Sequence, residues 1–186
     1  MEAIKKIELN KIAKIIFVAL LGTLLLTISA KIKIPFYPVP MTMQTFIVLF
    51  LGITLGPKIG LLTVSLYLFE GIFGLPVFAG TPEKGIGLVY FTGPTMGYLI
   101  GFLFAVYFAG SFKYDKGLIN IFLKLIFSVS FIYILGLIWL GTLIGWDKPI
   151  FKLGAEPFLL AELFKILLLL FLTPTLLKAK KLIKII

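Results

Sequence analysis

The 186-residue chain contains no cysteine, no histidine and no arginine, and its eight acids face eighteen lysines. Each absence removes chemistry. Without cysteine there is no disulfide framework and no thiolate. Without cysteine and histidine, Cys/His dyads, Ser-His-Asp triads and histidine-ligated metal sites each lack a required member. The GxxxxGK[ST] phosphate loop is missing as well, the nearest string being GTPEKGIG at 80–87, which excludes ATP hydrolysis by that route. Neither a metal nor a cofactor is expected, and the chain does not read as an enzyme.

What is abundant is apolar surface. Hydrophobic residues make up 60% of the chain and mean hydropathy is +1.13, against about 45–50% apolar residues in an average soluble domain. A bilayer core takes roughly 20 apolar residues to cross as a helix. The length therefore suits a single membrane domain over residues 1–186 and leaves no room for a soluble catalytic domain. The first apolar run, 15–30, leads into another hydrophobic segment rather than a polar mature chain, so it reads as a retained helix and not a cleaved signal.

Apolar stretches separated by Lys, Gly or Pro predict six transmembrane helices, at about 11–30, 42–55, 58–73, 93–110, 118–144 and 157–178. The fold class is thus an all-α, multi-pass integral membrane protein. In this arrangement twelve lysines fall on one side and five on the other, with Lys165 inside a helix. Lysine excess marks the cytoplasmic side, so both termini are expected in the cytoplasm of a cell membrane. The net charge of +10 is an orientation signal here rather than the footprint of a nucleic-acid partner.

Eight of the ten prolines lie in three outer connections, 34–42, 74–94 and 145–157. Such segments have few accessible backbone states, which predicts structured outer loops. The cytoplasmic connections LGPKIG (55–60) and SFKYDKG (111–117) look short and plain by comparison.

The stretch AEPFLLAELFKILLLLFL (155–172) places Glu162 and Lys165 in an otherwise apolar helix. Three residues apart, they share one face, and Lys165 lies about 12 Å beyond Pro157 along the axis. A charge at that depth costs about 2.5–3.5 kcal/mol on insertion scales, and such residues line cavities or pathways. Two readings stand: a salt bridge holding the helix in register, or a pair aimed at a ligand. Glu70, near the outer end of the third helix, reads either as a structural partner or as a cavity wall. The aromatic residues Tyr37, Phe78, Tyr90, Phe91, Tyr98, Trp139 and Trp146 gather toward the outer side, as an interfacial belt or as part of an apolar site.

The ordered motifs PVPMTMQTF (38–46), LGPKIGLLTVSLYL (55–68), GIFGLPVFAG (71–80), GPTMGYLIGF (93–102) and PFLLAELFK (157–165) resemble the BioY family, the biotin-binding S components of energy-coupling factor transporters. The resemblance runs from about residue 12 to the C-terminus. It implies six helices, cytoplasmic termini and a biotin site near the outer face covered by the first outer loop. It also implies an acid and a lysine that contact biotin, matched by Glu162 and Lys165, where the family usually has aspartate in place of the glutamate.

Gln44, Glu70, Phe78, Tyr90 and Tyr98 complete the candidate site. Some members carry a basic residue where Leu99 stands and an asparagine in the outer loop, which leaves Lys84 as the candidate partner for the biotin carboxylate. Ala19, Thr23 and Thr27 match a small-residue face of helix 1 that docks on a transmembrane T component, and internal packing is the other use of such a face. Energy would come from that T component and two ABC-type ATPases. Two rival readings are an autonomous proton- or ion-coupled permease, with Glu70 and Glu162 as coupling carboxylates, and an intramembrane enzyme.

Overall fold

The computed structural model describes residues 2–34, 41–115 and 117–183. Six α-helices follow in chain order: α1 (Glu2–Lys31), α2 (Gln44–Ile72), α3 (Met96–Ser111), α4 (Gly117–Ile144), the short α5 (Ile150–Gly154) and α6 (Glu156–Ile183). A 3₁₀ turn spans Gly87–Thr92. The all-α expectation needs one small correction: two-residue strands β1 (Lys33–Ile34) and β2 (Met41–Thr42) pair antiparallel, with Lys33 opposite Thr42. The first outer connection, 35–40 with Tyr37, lies outside the described residues, as does Lys116.

Among the described residues four helices are long and apolar enough to cross a bilayer, namely Leu9–Lys31, Gln44–Ile72, Gly117–Ile144 and Glu156–Lys178, and α3 is a shorter apolar helix. Their outer faces are as apolar as their inner ones: Leu24, Ile28, Ile138, Leu160, Phe164 and Phe171 are all exposed. A helix that is hydrophobic all round needs lipid or protein on every side.

Helix α2 is not one straight rod. Gly56 sits at φ 79° and ψ 176°, followed by Pro57. A continuous helix would hold Gln44 and Tyr67 about 35 Å apart, yet the Gln44 amide donates to the Tyr67 hydroxyl at 2.8 Å. The chain therefore reverses at Gly56, and the arms 44–55 and 57–72 run antiparallel, corresponding to the second and third helices read from the sequence. Glycine is required at the reversal because a positive φ costs little only without a Cβ.

Glycines also set the helix spacing around these arms. A Cβ added to Gly101 on α3 would fall 2.5 Å from Ile132 Cα on α4, and one on Gly110 would fall 2.5 Å from Pro57 N. Backbones approach so closely only where side chains are absent. The core between the α2 arms, α3, α4 and α6 is filled by Val48, Tyr67, Phe102, Val106, Leu125, Ile132 and Leu169.

The connection 111–117 is more structured than its sequence suggests. The Tyr114 hydroxyl donates to Ala109 O at 2.7 Å, and the Lys124 ammonium lies 5.8 and 5.9 Å from the Phe112 and Tyr114 ring centroids. At the other end of the molecule, the segment after α2 is tied to α1. Lys31 Nζ donates to Phe78 O at 3.0 Å and to Thr81 O and Oγ1 at 3.1 Å.

Candidate substrate-binding site

Along α6, the residues Phe158, Glu162, Lys165, Ile166 and Leu169 are buried, whereas Leu160, Phe164 and Phe171 are exposed. That spacing of three and four residues is one helical face. The sequence therefore turns both charges inward, where Glu162 is 3% and Lys165 6% exposed.

Their geometry is specific. Lys165 Nζ lies 3.2 Å from Glu162 Oε2 and donates to Thr45 Oγ1 at 3.0 Å. The Thr45 hydroxyl in turn donates to Glu162 Oε2 at 2.9 Å, and the Tyr133 hydroxyl donates to the same oxygen at 3.1 Å. Three donors converge on Oε2, while Oε1 is buried with no hydrogen-bond partner among the described residues. An ammonium carries three N–H donors, and two of those on Lys165 are spent on Thr45 and Glu162. The pair therefore offers one unsatisfied acceptor and one unspent donor side by side, and an unpaired buried polar atom costs about 1–3 kcal/mol.

Glu162 and Lys165 line a cavity together with Met41, Thr42, Gln44, Thr45, Ala79, Tyr90, Thr95, Tyr98, Leu99, Phe102, Ile132, Tyr133 and Phe158. Its walls come from β2, the first turn of α2, the segment after α2, α3, α4 and α6. Most of its polar groups are oriented by neighbours. The Thr42 hydroxyl donates to Gln44 Oε1 at 3.1 Å, Gln44 Nε2 to Tyr67, and the Tyr67 hydroxyl to Val77 O at 3.0 Å. The Tyr90 hydroxyl donates to Ala79 O at 2.7 Å and that of Tyr98 to Gly154 O at 2.8 Å. Burial pushes the Tyr90 phenol above its ordinary range, with a Thr95 hydrogen bond opposing, so it stays neutral at pH 7.

Of the residues singled out in the sequence, the structure thus brings Glu162, Lys165, Gln44, Tyr90 and Tyr98 to one cavity. Phe78 stands behind the wall: fully buried, it stacks on Tyr90 at 4.8 Å and meets Tyr67 edge-on at 5.2 Å. Glu70 is half-buried and is not among the residues that line the cavity. Lys84 is exposed and is not among the lining residues; its stem lies over Gly80, where an added Cβ would fall 2.9 Å from Lys84 Cδ.

The small-residue face of α1 is largely buried within the chain. Ala19 is 1% and Thr23 4% exposed, and Thr27 is half-buried with its hydroxyl donating to Thr23 O at 2.9 Å. A Cβ on neighbouring Gly22 would run into Thr63 of α2. This face packs inside the chain, because small residues are what let α1 approach α2.

Thr45, Thr95, Tyr133 and Phe158 were not singled out in the sequence. Thr45 directly follows Gln44, and that adjacency was the available signal. Tyr133 sits in the apolar run SFIYILG, with nothing to mark its inward aim.

The BioY family model matches residues 3–182. A probable biotin transporter BioY from Pyrococcus horikoshii is 35% identical over 153 residues, covering 82% of this chain and 90% of that protein. The biotin transporter BioY of Thermotoga maritima is 35% identical over 145 residues, 77% and 84% of the two chains. Among solved structures, the S-component for biotin from an ECF-type ABC transporter superposes with a TM-score of 0.75 at 27% identity, covering 91% of this chain and 93% of that one. With the family matched over nearly the whole length, and with the helical arrangement shared, this chain belongs to the BioY family.

Proposed function

We propose that the chain is the biotin-capturing S component of an energy-coupling factor transporter, with its site in the cavity at Glu162 and Lys165. The observation that carries this reading is the buried, unpartnered Glu162 Oε1 beside an ammonium with one donor unspent. The edge of a cyclic urea presents an N–H donor next to a carbonyl acceptor. Oε1 accepts from the ureido N–H and Lys165 donates to the ureido oxygen, while Phe102, Ile132, Phe158 and Tyr98 give the fused ring an apolar cage. Family membership supplies the ligand class independently of that geometry.

The topology belongs to the same proposal. Six spans cross the cell membrane, the two arms of α2 counting separately, with both termini in the cytoplasm. The lysine distribution supports this orientation. A T component and two ABC-type ATPases supply the energy, since binding shifts an equilibrium only by the ligand's differential affinity for two states. The ion-coupled alternative is disfavoured by a specific placement: Glu70 is not among the residues that line the cavity holding Glu162. Calorimetric titration of the purified chain in detergent tests the reading. Saturable one-to-one binding of biotin is expected, and no heat of binding from folded protein would overturn it.

A further inference from the structure

We infer that Lys31, the last residue of α1, is a positioning residue for the ligand: it clamps the segment 77–81, which forms one wall of the cavity, and so holds Ala79 and Tyr90 in place. The inference rests on the function proposed above and adds a residue that acts on the site without lining it. The segment lies between α2 and the turn 87–92, outside helix and strand, so no backbone ladder fixes it. Its carbonyls are held one by one instead. Val77 O accepts from the Tyr67 hydroxyl at 3.0 Å, Ala79 O from the Tyr90 hydroxyl at 2.7 Å and Gly80 O from Lys84 N at 2.8 Å. Phe78 O and Thr81 O both accept from the Lys31 ammonium, at 3.0 and 3.1 Å.

The clamp is closed by Thr81, whose hydroxyl accepts from Lys31 at 3.1 Å and donates to Phe78 O at 2.7 Å. Lys31 thus grips the chain on either side of Ala79, which lines the cavity, and Ala79 in turn anchors the hydroxyl of Tyr90, which lines it too. Burial separates the three side-chain donors. Tyr67 and Tyr90 are buried against Phe78 and belong to the core, whereas Lys31 is exposed and reaches the segment from another helix. Its ammonium is therefore the one clamp that can be removed without leaving a hole in the core. Bonds from an ionised donor are roughly twice as strong as neutral ones, and a wall displaced by about 1 Å is enough to loosen a preorganised site.

Biotin binding by the wild type, Lys31→Met and Lys31→Arg tests this, with affinity read by calorimetry and dissociation by chase with excess unlabelled biotin. Lys31→Met is expected to bind about tenfold more weakly, through faster dissociation, and Lys31→Arg, which keeps the charged donors, to stay within about threefold of wild type. In the ligand-free protein, hydrogen exchange at the amides of Thr81 and Lys84 should be faster in Lys31→Met. Thr81→Val, which removes one acceptor of the clamp, is expected to weaken binding about threefold. Because both residues act through one network, the double variant Lys31→Met/Thr81→Val should lose less than the product of the two single losses. Wild-type affinity and dissociation in Lys31→Met, whatever its thermal midpoint, overturn the inference and leave the receptor reading intact. Losses that multiply in the double variant do the same, since Lys31 would then act other than through the wall. Failure of folded wild-type protein to bind biotin overturns both.

Discussion

At the scale of single residues, the site depends on an imbalance between the two oxygens of one carboxylate. Oε2 of Glu162 accepts from Thr45, Tyr133 and Lys165, and Oε1 accepts from nothing among the described residues. The supporting donors hold the carboxylate in one orientation without using Oε1, which is the economy expected of a preorganised site. Removing one supporting donor should therefore weaken binding without abolishing it. Tyr133→Phe deletes a hydrogen bond to a charged group, worth about 1.5 kcal/mol. Its biotin affinity should fall about tenfold, as read by calorimetry, with the thermal midpoint close to wild type.

The same pair explains why the charges are tolerated at this depth. Each is the other's counter-charge, and Thr45 links them through one hydroxyl. Truncating one member alone leaves a buried charge, a loss of about 3–5 kcal/mol. A single substitution therefore confounds binding with folding, and the informative variant removes both.

At the scale of elements, the reversal at Gly56 is what brings the first turn of α2 to α6. The arm 44–55 carries Gln44 and Thr45 to the cavity, and the arm 57–72 returns Tyr67 to hold the Gln44 amide. Gly56→Ala forces a side chain into positive φ at a cost of about 1–2 kcal/mol. Thermal unfolding in detergent should show that loss. The cavity residues are untouched, so biotin affinity in the surviving folded protein should stay within a few-fold of wild type.

How far the elements were legible in the sequence follows from the physics of each signal. Charges in an apolar run are costly, so Glu162 and Lys165 stood out, and Gly-Pro-Lys punctuation located the reversal. By contrast, the Thr45 contact with Glu162 spans 117 residues and that of Tyr133 spans 29, and no local pattern encodes which distant helix a hydroxyl meets. Ala19 and Thr23 kept two readings in the sequence, because the small residues that suit a partner helix also suit close packing of α1 on α2. Lys84 drew attention as a cation in an outer loop, yet exposure put it away from the cavity.

At the scale of the whole molecule, the chain is an apolar bundle with side-chain-tied connections at both ends, the longer ones at the end that holds 73–95 and 145–149. Lys31, the 78–81 segment and the Trp139 indole, which donates to Gly93 O at 2.9 Å, tie that end together. On the proposed function, capture and energy supply are divided between subunits. The chain alone in proteoliposomes should bind biotin yet fail to accumulate it under an imposed proton gradient. Adding the T component, the ATPases and ATP should restore accumulation; gradient-driven uptake by the chain alone would instead favour an autonomous permease.

The most direct test of the central claim is a calorimetric titration of the wild-type chain and of the double variant Glu162→Leu/Lys165→Met with biotin. An apolar exchange of a buried ion pair is often neutral or stabilising, so the variant should keep its thermal midpoint. The account predicts tight one-to-one binding by the wild type and at least about a hundredfold loss in the folded variant, the order expected when two charge-assisted bonds to the ureido ring disappear. Undiminished binding by the variant would contradict it, leaving Glu162 and Lys165 as a salt bridge that sets the register of α6.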